Sequence, residues 1–292
     1  MLDNFAVFIL THGRPDNVIT YKTLQRQGYT GPVYIIVDNE DKTIDQYRKN
    51  FGDKVIVFDK LAISKTFDTG DNFNDRRAVI YARNACWGIA EDLGIQYFLQ
   101  LDDDYTSFVY KFNSSLGYSE KPTEKLNSVF STFLDYYKSI DCDSIALAQN
   151  GDFQGGSGSG MAEYIALHRK CMNTFFCSVD RPFQFVGRIN EDVNTYVTRG
   201  GRGNVFLSAK NIAIIQKQTQ NNAGGMSEMY LDSGTYIKSF YTVMYAPSCV
   251  HVGMMGNIHK RLHHRINWKN AVPCIVEEKH RKRSQTPTLL TD

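Results

Sequence analysis

What most constrains this chain is a run of core-type residues with no polar break. Phe5 to Thr11 is FAVFILT, and similar runs return at Val33 to Val37 (VYIIV), Lys54 to Phe58 (KVIVF) and Gln96 to Leu101 (QYFLQL). A strand with one wet face alternates apolar and polar residues, so continuous runs predict strands covered on both faces. Segments of helical period lie between them, at Val18 to Gln27, Ile44 to Asn50 and Asn74 to Leu93. In the last, Ala78, Tyr81, Ala82, Ala85, Ile89 and Leu93 recur at i, i+3/i+4 until Gly94 stops the helix. Strands joined by helical crossovers predict an α/β fold with a mostly parallel sheet and helices on both faces. Such sheets bind ligands at the carboxyl ends of their strands. Two of those ends carry acids, Asp38 and the triplet Asp102-Asp103-Asp104.

Beyond the triplet the pattern loosens. A helix is expected over Thr123 to Ile140 and a strand over Ser144 to Gln149, with further candidate strands at Ala162 to His168, Gly203 to Ser208 and Tyr241 to Ala246. Gly151 to Gly160 (GDFQGGSGSG) is flexible by composition. The 292 residues suffice for one large α/β domain or two small ones, and 42% hydrophobic residues exclude wholesale disorder. The net charge of +2 excludes nothing, but its distribution is uneven: eight Lys or Arg against three acids after residue 250 make that segment +5 and the remainder −3. Six scattered cysteines without a C-x-x-C pair are neither a zinc framework nor a disulfide scaffold. The first apolar run has no basic residues before it, and no stretch approaches the roughly 18 apolar residues of a membrane span, so a cytoplasmic protein is expected, in the host cytoplasm if the source is viral.

Five features carry chemistry. In LDDDY, strand alternation turns Asp102 and Asp104 to one side and Asp103 to the other; paired carboxylates past a buried strand suit a hard divalent cation, although acids also gather in solvated turns and caps. Arg76 and Arg83, seven apart on the expected helix, can reach phosphate oxygens or the triplet, or form an exposed basic face. Glu191-Asp192 opens an apolar-periodic segment, where first-turn acids also complement a helix dipole. His251 is a metal ligand or a structural imidazole. HKRLHHRINW, with Lys260, Arg261 and Arg265, suits a polyanion or a sugar phosphate, and equally a plain cationic tail.

In order and spacing these pieces resemble the GT-A glycosyltransferases, Rossmann-like enzymes that use nucleotide-sugar donors, and in particular their inverting family-2 group. FILTHGRPDN is similar to that group's first strand and nucleotide loop, VDNEDKT to its second, FLQLDDDY to its D-x-D strand, and Asn190-Glu191-Asp192 to its E-D motif. Ala82-Arg83-Asn84-Ala85-Cys86-Trp87-Gly88 is similar to its A-R-N-x-G helix, with three residues where the motif has one before Gly88. LDDDY, RINEDVNTY and the basic C-terminal segment resemble more narrowly the TET-associated, phage-type glycosyltransferases that modify hydroxymethylated pyrimidines in DNA. The chain lacks the strong overall positive charge that would argue for duplex DNA by itself.

The resemblance implies a GT-A sheet with a less regular, acceptor-binding C-terminal half: a nucleotide-sugar-binding half over 1–110, an acceptor and catalytic-base half over 111–250 and a basic, His-rich segment over 251–292. It implies nucleotide contacts from Thr11, Arg14 and Asp38, and phosphate-side contacts from Arg76, Arg83, Asp102 and Asp103. It implies Mn²⁺ or Mg²⁺ on Asp102 and Asp104 with His251 as a third ligand, and Asp192 as general base beside Glu191. The donor implied is a UDP-sugar. The acceptor implied is a hydroxymethylated DNA base held through Lys260, Arg261 and Arg265, with a surface glycan or glycolipid as the alternative. Two rivals from other classes remain: a nucleotidyltransferase, whose glycine-rich phosphate loop THGRPDN resembles poorly, and a non-catalytic nucleic-acid-binding protein, which leaves the acids unexplained.

Overall fold

Strand β1 (Phe5–Leu10) is buried at all six positions, and its side chains divide between two cores. Ala6, Phe8 and Leu10 enter one, while Phe5, Val7 and Ile9 enter the other. This period-2 division makes β1 the centre of a two-faced sheet. The computed structural model describes residues 2–70, 75–115, 117–149, 153, 165–216, 237–256 and 260–282.

β1 is followed by α1 (Ile19–Arg26), β2 (Val33–Asp38), α2 (Ile44–Phe51), β3 (Val55–Phe58), α3 (Lys60–Ser64), α4 (Ile80–Asp92) and β4 (Tyr97–Asp102). The four strands are parallel neighbours, with β1 between β2 and β4 and β3 outside β2. The expected α/β class and the mostly parallel sheet are therefore present. β5 (Tyr105–Phe112), β6 (Tyr118–Pro122), α5 (Leu126–Ser139), β7 (Ser144–Gln149), β8 (Ile165–Ala166), β9 (Phe175–Ser178), α6 (Glu191–Gly200) and β10 (Phe206–Gln216) extend it. Among the described residues the sheet has ten strands in the order β3-β2-β1-β4-β9-β7-β10-β5-β6, with β8 against β10. β9 runs antiparallel between β4 and β7. Leu24 of α1 and Leu126, Phe130 and Leu134 of α5 cover one face, while Ile80, Trp87 and Ile89 of α4 and Val193 and Val197 of α6 cover the other.

Several expected elements differ. Tyr241 to Ala246, read as a strand from its Tyr, Thr and Val, belongs to helix α7 (Ile237–Tyr245): Ser239 and Thr242, three apart, are both fully buried, so tertiary packing overrides β propensity. The long helix begins at Ile80 because Asp75 accepts the Arg77 backbone N–H, a local bond that competes with helix formation. The described part of the basic segment is not a tail. β11 (Val250–Met255) pairs antiparallel with β12 (Arg261–Ile266) in a separate ribbon, and helices α8 (Trp268–Ala271) and α9 (Glu278–Lys282) follow. The strand expected at Gly203 to Ser208 starts at Phe206 and runs on to Gln216. Apart from Phe153, the Gly151 to Gly160 stretch lies outside the described residues, as do Asn74, His259 and the last ten residues. The divisions expected at 110/111 and 250/251 fall within β5 and at the start of β11.

Candidate functional site

The acidic triplet occupies the tight turn from β4 to β5, at the carboxyl end of the parallel strands. Thr20 clasps it: its hydroxyl donates to the Asp102 carbonyl at 2.6 Å and accepts the Tyr105 N–H at 2.9 Å. Asp103, 5% exposed, faces the β1 loop. It accepts the Thr11 hydroxyl at 2.6 Å and Arg14 Nη1 at 3.1 Å. Tyr47 completes the clasp, bonding Thr11 Oγ1 at 2.9 Å and accepting the Arg14 N–H at 2.8 Å. Burial raises the Asp103 pKa while Arg14 and Thr11 pull it down. Thr11, Arg14 and Asp103 are thus brought together, but bonded to one another.

Arg83 organises the other side of the turn. Its side chain is 2% exposed, and its guanidinium lies 5.2 Å from the Phe175 ring centroid and 5.7 Å from that of Phe185. Nη2 donates to Asp102 Oδ1 at 2.9 Å and Nε to Glu191 Oε1 at 2.8 Å. Among the described residues its buried Nη1 has no acceptor. The arginine expected beside phosphates therefore sits in the protein interior and ties the triplet to the start of α6. The 108-residue separation of Arg83 and Glu191 hides this pairing from sequence reasoning. Arg76 is elsewhere: in the irregular segment before α4 it pairs with Glu40 at 2.6 Å, because the helix that would have aligned it with Arg83 starts later.

Backbone geometry fixes where α6 begins. Gly187 takes φ +81°, where a side chain would meet the Asn194 amide and the Tyr245 ring. Asn190, at φ 57°, donates Nδ2 to the Lys238 carbonyl at 2.7 Å and to Thr242 Oγ1 at 3.1 Å, with His264 Nδ1 at 3.4 Å. Glu191 and Asp192 follow in the first helical turn, and burial raises the pKa of both against the pull of Arg83. Asp192 Oδ1 accepts the Val193 N–H at 2.7 Å. Lys170 and Lys238 act on Asp192 electrostatically, and Lys170 Nζ lies 3.2 Å from His264 Nε2. No motif marks these lysines, while His264 falls within HKRLHHRINW, a segment expected to meet a polyanion rather than to pack beside Asn190.

At the end of β2, Asp38 Oδ2 meets His12 Nδ1 at 2.7 Å and the buried Lys60 ammonium at 3.3 Å. The hydrogen bond to His12 and the Lys60 charge hold the Asp38 pKa down against its burial, and Asp38 raises that of His12. Asp41 accepts the Gly13 N–H at 2.6 Å. His12 and Lys60 were not among the expected residues, although His12 adjoins Thr11 in the loop that drew attention.

Asp104 is half-buried, and its pKa is pushed up to about 7 by burial and by the charges of Asp102 and Asp103. Two crowded carboxylates offering only oxygen fit a hard cation that is also held by a diphosphate. A three-ligand site does not form: among the described residues no three His, Cys, Asp or Glu gather as a metal group. His251 is exposed on the ribbon opposite Arg265, because strand alternation turns Val250 inward and its neighbour outward.

The family profile of the TET-associated glycosyltransferases matches residues 5–225, about three-quarters of the chain. The protein belongs to that family. No curated protein matches it by sequence. Among solved structures it is similar to S. aureus TarS 1–349, at 11% identity and TM-score 0.43, covering 82% of this chain and 65% of that one. A longer S. aureus TarS matches at 12% identity and TM-score 0.44, with 82% of this chain against 39% of that one. The chain thus spans less than two thirds of either TarS chain. Glucosyl-3-phosphoglycerate synthase from Mycobacterium tuberculosis, in complex with Mn²⁺ and UDP-glucose, matches at 8% identity and TM-score 0.47 over 91% of this chain and 90% of that one.

Proposed function

We propose that the chain transfers a sugar from a UDP-sugar to a hydroxymethylated base of DNA, in one displacement that inverts the anomeric carbon. The observation that carries the reading is the Arg83 bridge, which joins the acids of the β4–β5 turn to the acids opening α6. Donor and base chemistry need that proximity, since the acceptor oxygen must attack while the diphosphate departs. Asp38, fixed by His12 and Lys60, receives the base or ribose of the nucleotide, and the Thr11–Arg14–Asp103 clasp shapes the loop beside it. Arg76 steadies the neighbouring loop through Glu40. Asp192 takes the acceptor hydroxyl proton as that oxygen bonds to the anomeric carbon, and Glu191 stays with Arg83. When bound by Asp102 and Asp104, Mn²⁺ or Mg²⁺ supplies positive charge to the leaving diphosphate.

The three segments 1–110, 111–250 and 251–292 divide this work as donor side, base side and acceptor docking. Family membership supports sugar transfer over nucleotidyl transfer and over a purely binding role. It also favours DNA over a surface glycan as acceptor. The test is mass spectrometry of nucleosides from a duplex containing 5-hydroxymethylcytosine after incubation with the protein, Mn²⁺ and mixed UDP-sugars. A sugar-bearing hydroxymethylcytidine is expected. Consumption of UDP-sugar with unmodified DNA would refute the acceptor and promote the glycan or glycolipid.

A further inference from the structure

The ribbon of β11 and β12 has two unlike faces. Its register places Val250 opposite Ile266, Val252 opposite His264 and Met254 opposite Leu262; the buried Val250 and His264 turn this face inward at the base of the ribbon, while Met254 and Leu262 farther along it are exposed. The Ser239 hydroxyl of α7 donates to the Leu262 carbonyl, so that helix lies against the ribbon. The outer face carries His251 opposite Arg265, Gly253 opposite His263 and Met255 opposite Arg261. His251, Met255, Arg261 and Arg265 are exposed, Lys260 extends the row, and neither strand contains an acid. Gly253 lets the Arg265 guanidinium lie across the face, since a Cβ there would stand 2.7 Å from Arg265 Nε. The row continues toward the reaction site: Lys238 interacts electrostatically with both Arg261 and Asp192.

We propose that this ribbon seats duplex DNA, entering the major groove with its outer face toward phosphates and base edges; the inference rests on the reading of the acceptor as a hydroxymethylated DNA base. Charge complementarity selects a polyanion. Dimensions select the groove, because two strands about 4.8 Å apart with their side chains fit an opening of about 12 Å and not one of about 6 Å. Single-stranded nucleic acid is held on aromatic stacking platforms, and the outer face has no Phe, Tyr or Trp. A pyrimidine's C5 substituent projects into the major groove, so the acceptor hydroxyl lies on the side where the ribbon enters.

Two measurements test this. The first is titration of a labelled hydroxymethylcytosine duplex at several salt concentrations. Each phosphate contact contributes about 0.9 to the logarithmic salt slope, so Lys260→Ala, Arg261→Ala and Arg265→Ala together flatten it by roughly 2 to 3 units. The lysine versions of the two arginines restore the slope, with melting temperature recording that every variant folds. The second is disulfide capture by Met255→Cys, with exposed Cys274 replaced by Ser; the other described cysteines are buried. A duplex with a thiol tether on cytosine N4, in the major groove, is captured, and one tethered at guanine N2, in the minor groove, is not. Equal slopes, minor-groove capture or no capture on a duplex that still receives sugar overturns the ribbon's role alone. A duplex that receives no sugar from any UDP-sugar overturns the acceptor reading, and the ribbon's role with it.

Discussion

Arg83→Met is the perturbation that weighs most on this account. It keeps the unbranched apolar stem of the side chain and removes the guanidinium, with its charge, its donors and its place over the Phe175 and Phe185 rings. Asp102 Oδ1 and Glu191 Oε1 then lose their partner at 2.9 and 2.8 Å, in a place where Glu191 is 9% exposed. Removing one member of a buried ion pair costs about 3–5 kcal/mol, because the other is left charged and dehydrated. At about 2–4 °C per kcal/mol for a chain approaching this size, the melting temperature falls by roughly 10 °C. Glu191→Gln in the same background removes half of the stranded charge. The double variant is then more stable than the sum of the two single changes predicts, by about 1–3 kcal/mol. Urea denaturation of the four proteins measures this directly. Additive losses, or an Arg83→Met protein within 1 kcal/mol of wild type, would refute the bridge as the link between the two acidic motifs.

Other substitutions separate the remaining roles. Asp104→Ala abolishes Mn²⁺-dependent UDP binding in calorimetry while the melting temperature holds or rises, since like-charge crowding is relieved; Asp102→Ala also loses binding but melts lower, because Arg83 Nη2 loses its acceptor. Asp192→Asn retains UDP affinity and slows turnover by about 10²–10⁴-fold, as loss of a general base does; collapse of donor binding would make Asp192 a nucleotide residue instead. His12→Ala tests the Asp38 pair through pH. The raised His12 pKa contributes stability below the unfolded value of 6.5 and loses it as pH rises through the folded value. The lowered Asp38 pKa contributes above 3.8 and loses it only on acidification through its depressed value. The melting-temperature gap between wild type and His12→Ala is therefore widest between about pH 4 and 6.5 and narrows toward pH 8; a constant gap would show that charge is not what His12 supplies.

The parallel half of the fold was legible because local signals agree there. FAVFIL, VYIIV and QYFLQL are covered on both faces, and a strand so placed has no polar alternation to blur its limits. β9 is only four residues, FFCS, inserted between β4 and β7 from a loop-rich stretch, so no period announces it. β5 escaped because Asp102 to Asp104 was read as the end of a unit, whereas the chain turns there and pairs with β10. The site shows the same division. Asp38, Asp102 and Asp104 were visible as acids at strand ends, but which of them carries a counter-charge depends on Lys60, His12 and Arg83, placed by packing alone.

That dependence has a consequence for how the two acidic motifs work. The triplet carries three carboxylates and the opening of α6 two more, a concentration of negative charge that burial makes costly. Arg14 answers Asp103 and Arg83 answers one oxygen each of Asp102 and Glu191, so among the described residues Asp104 and Asp192 are the carboxylates of the five that form no ion pair with an arginine. These are the two positions where the proposed chemistry brings positive charge from outside, a divalent cation to Asp104 and a proton from the acceptor hydroxyl to Asp192. A protein that neutralised all five internally would be more stable and would have nothing left to attract either. On the proposed chemistry, the placement of the two arginines, more than the acids themselves, decides which carboxylates are left for function, and an arginine introduced beside Asp192 should raise stability while extinguishing turnover.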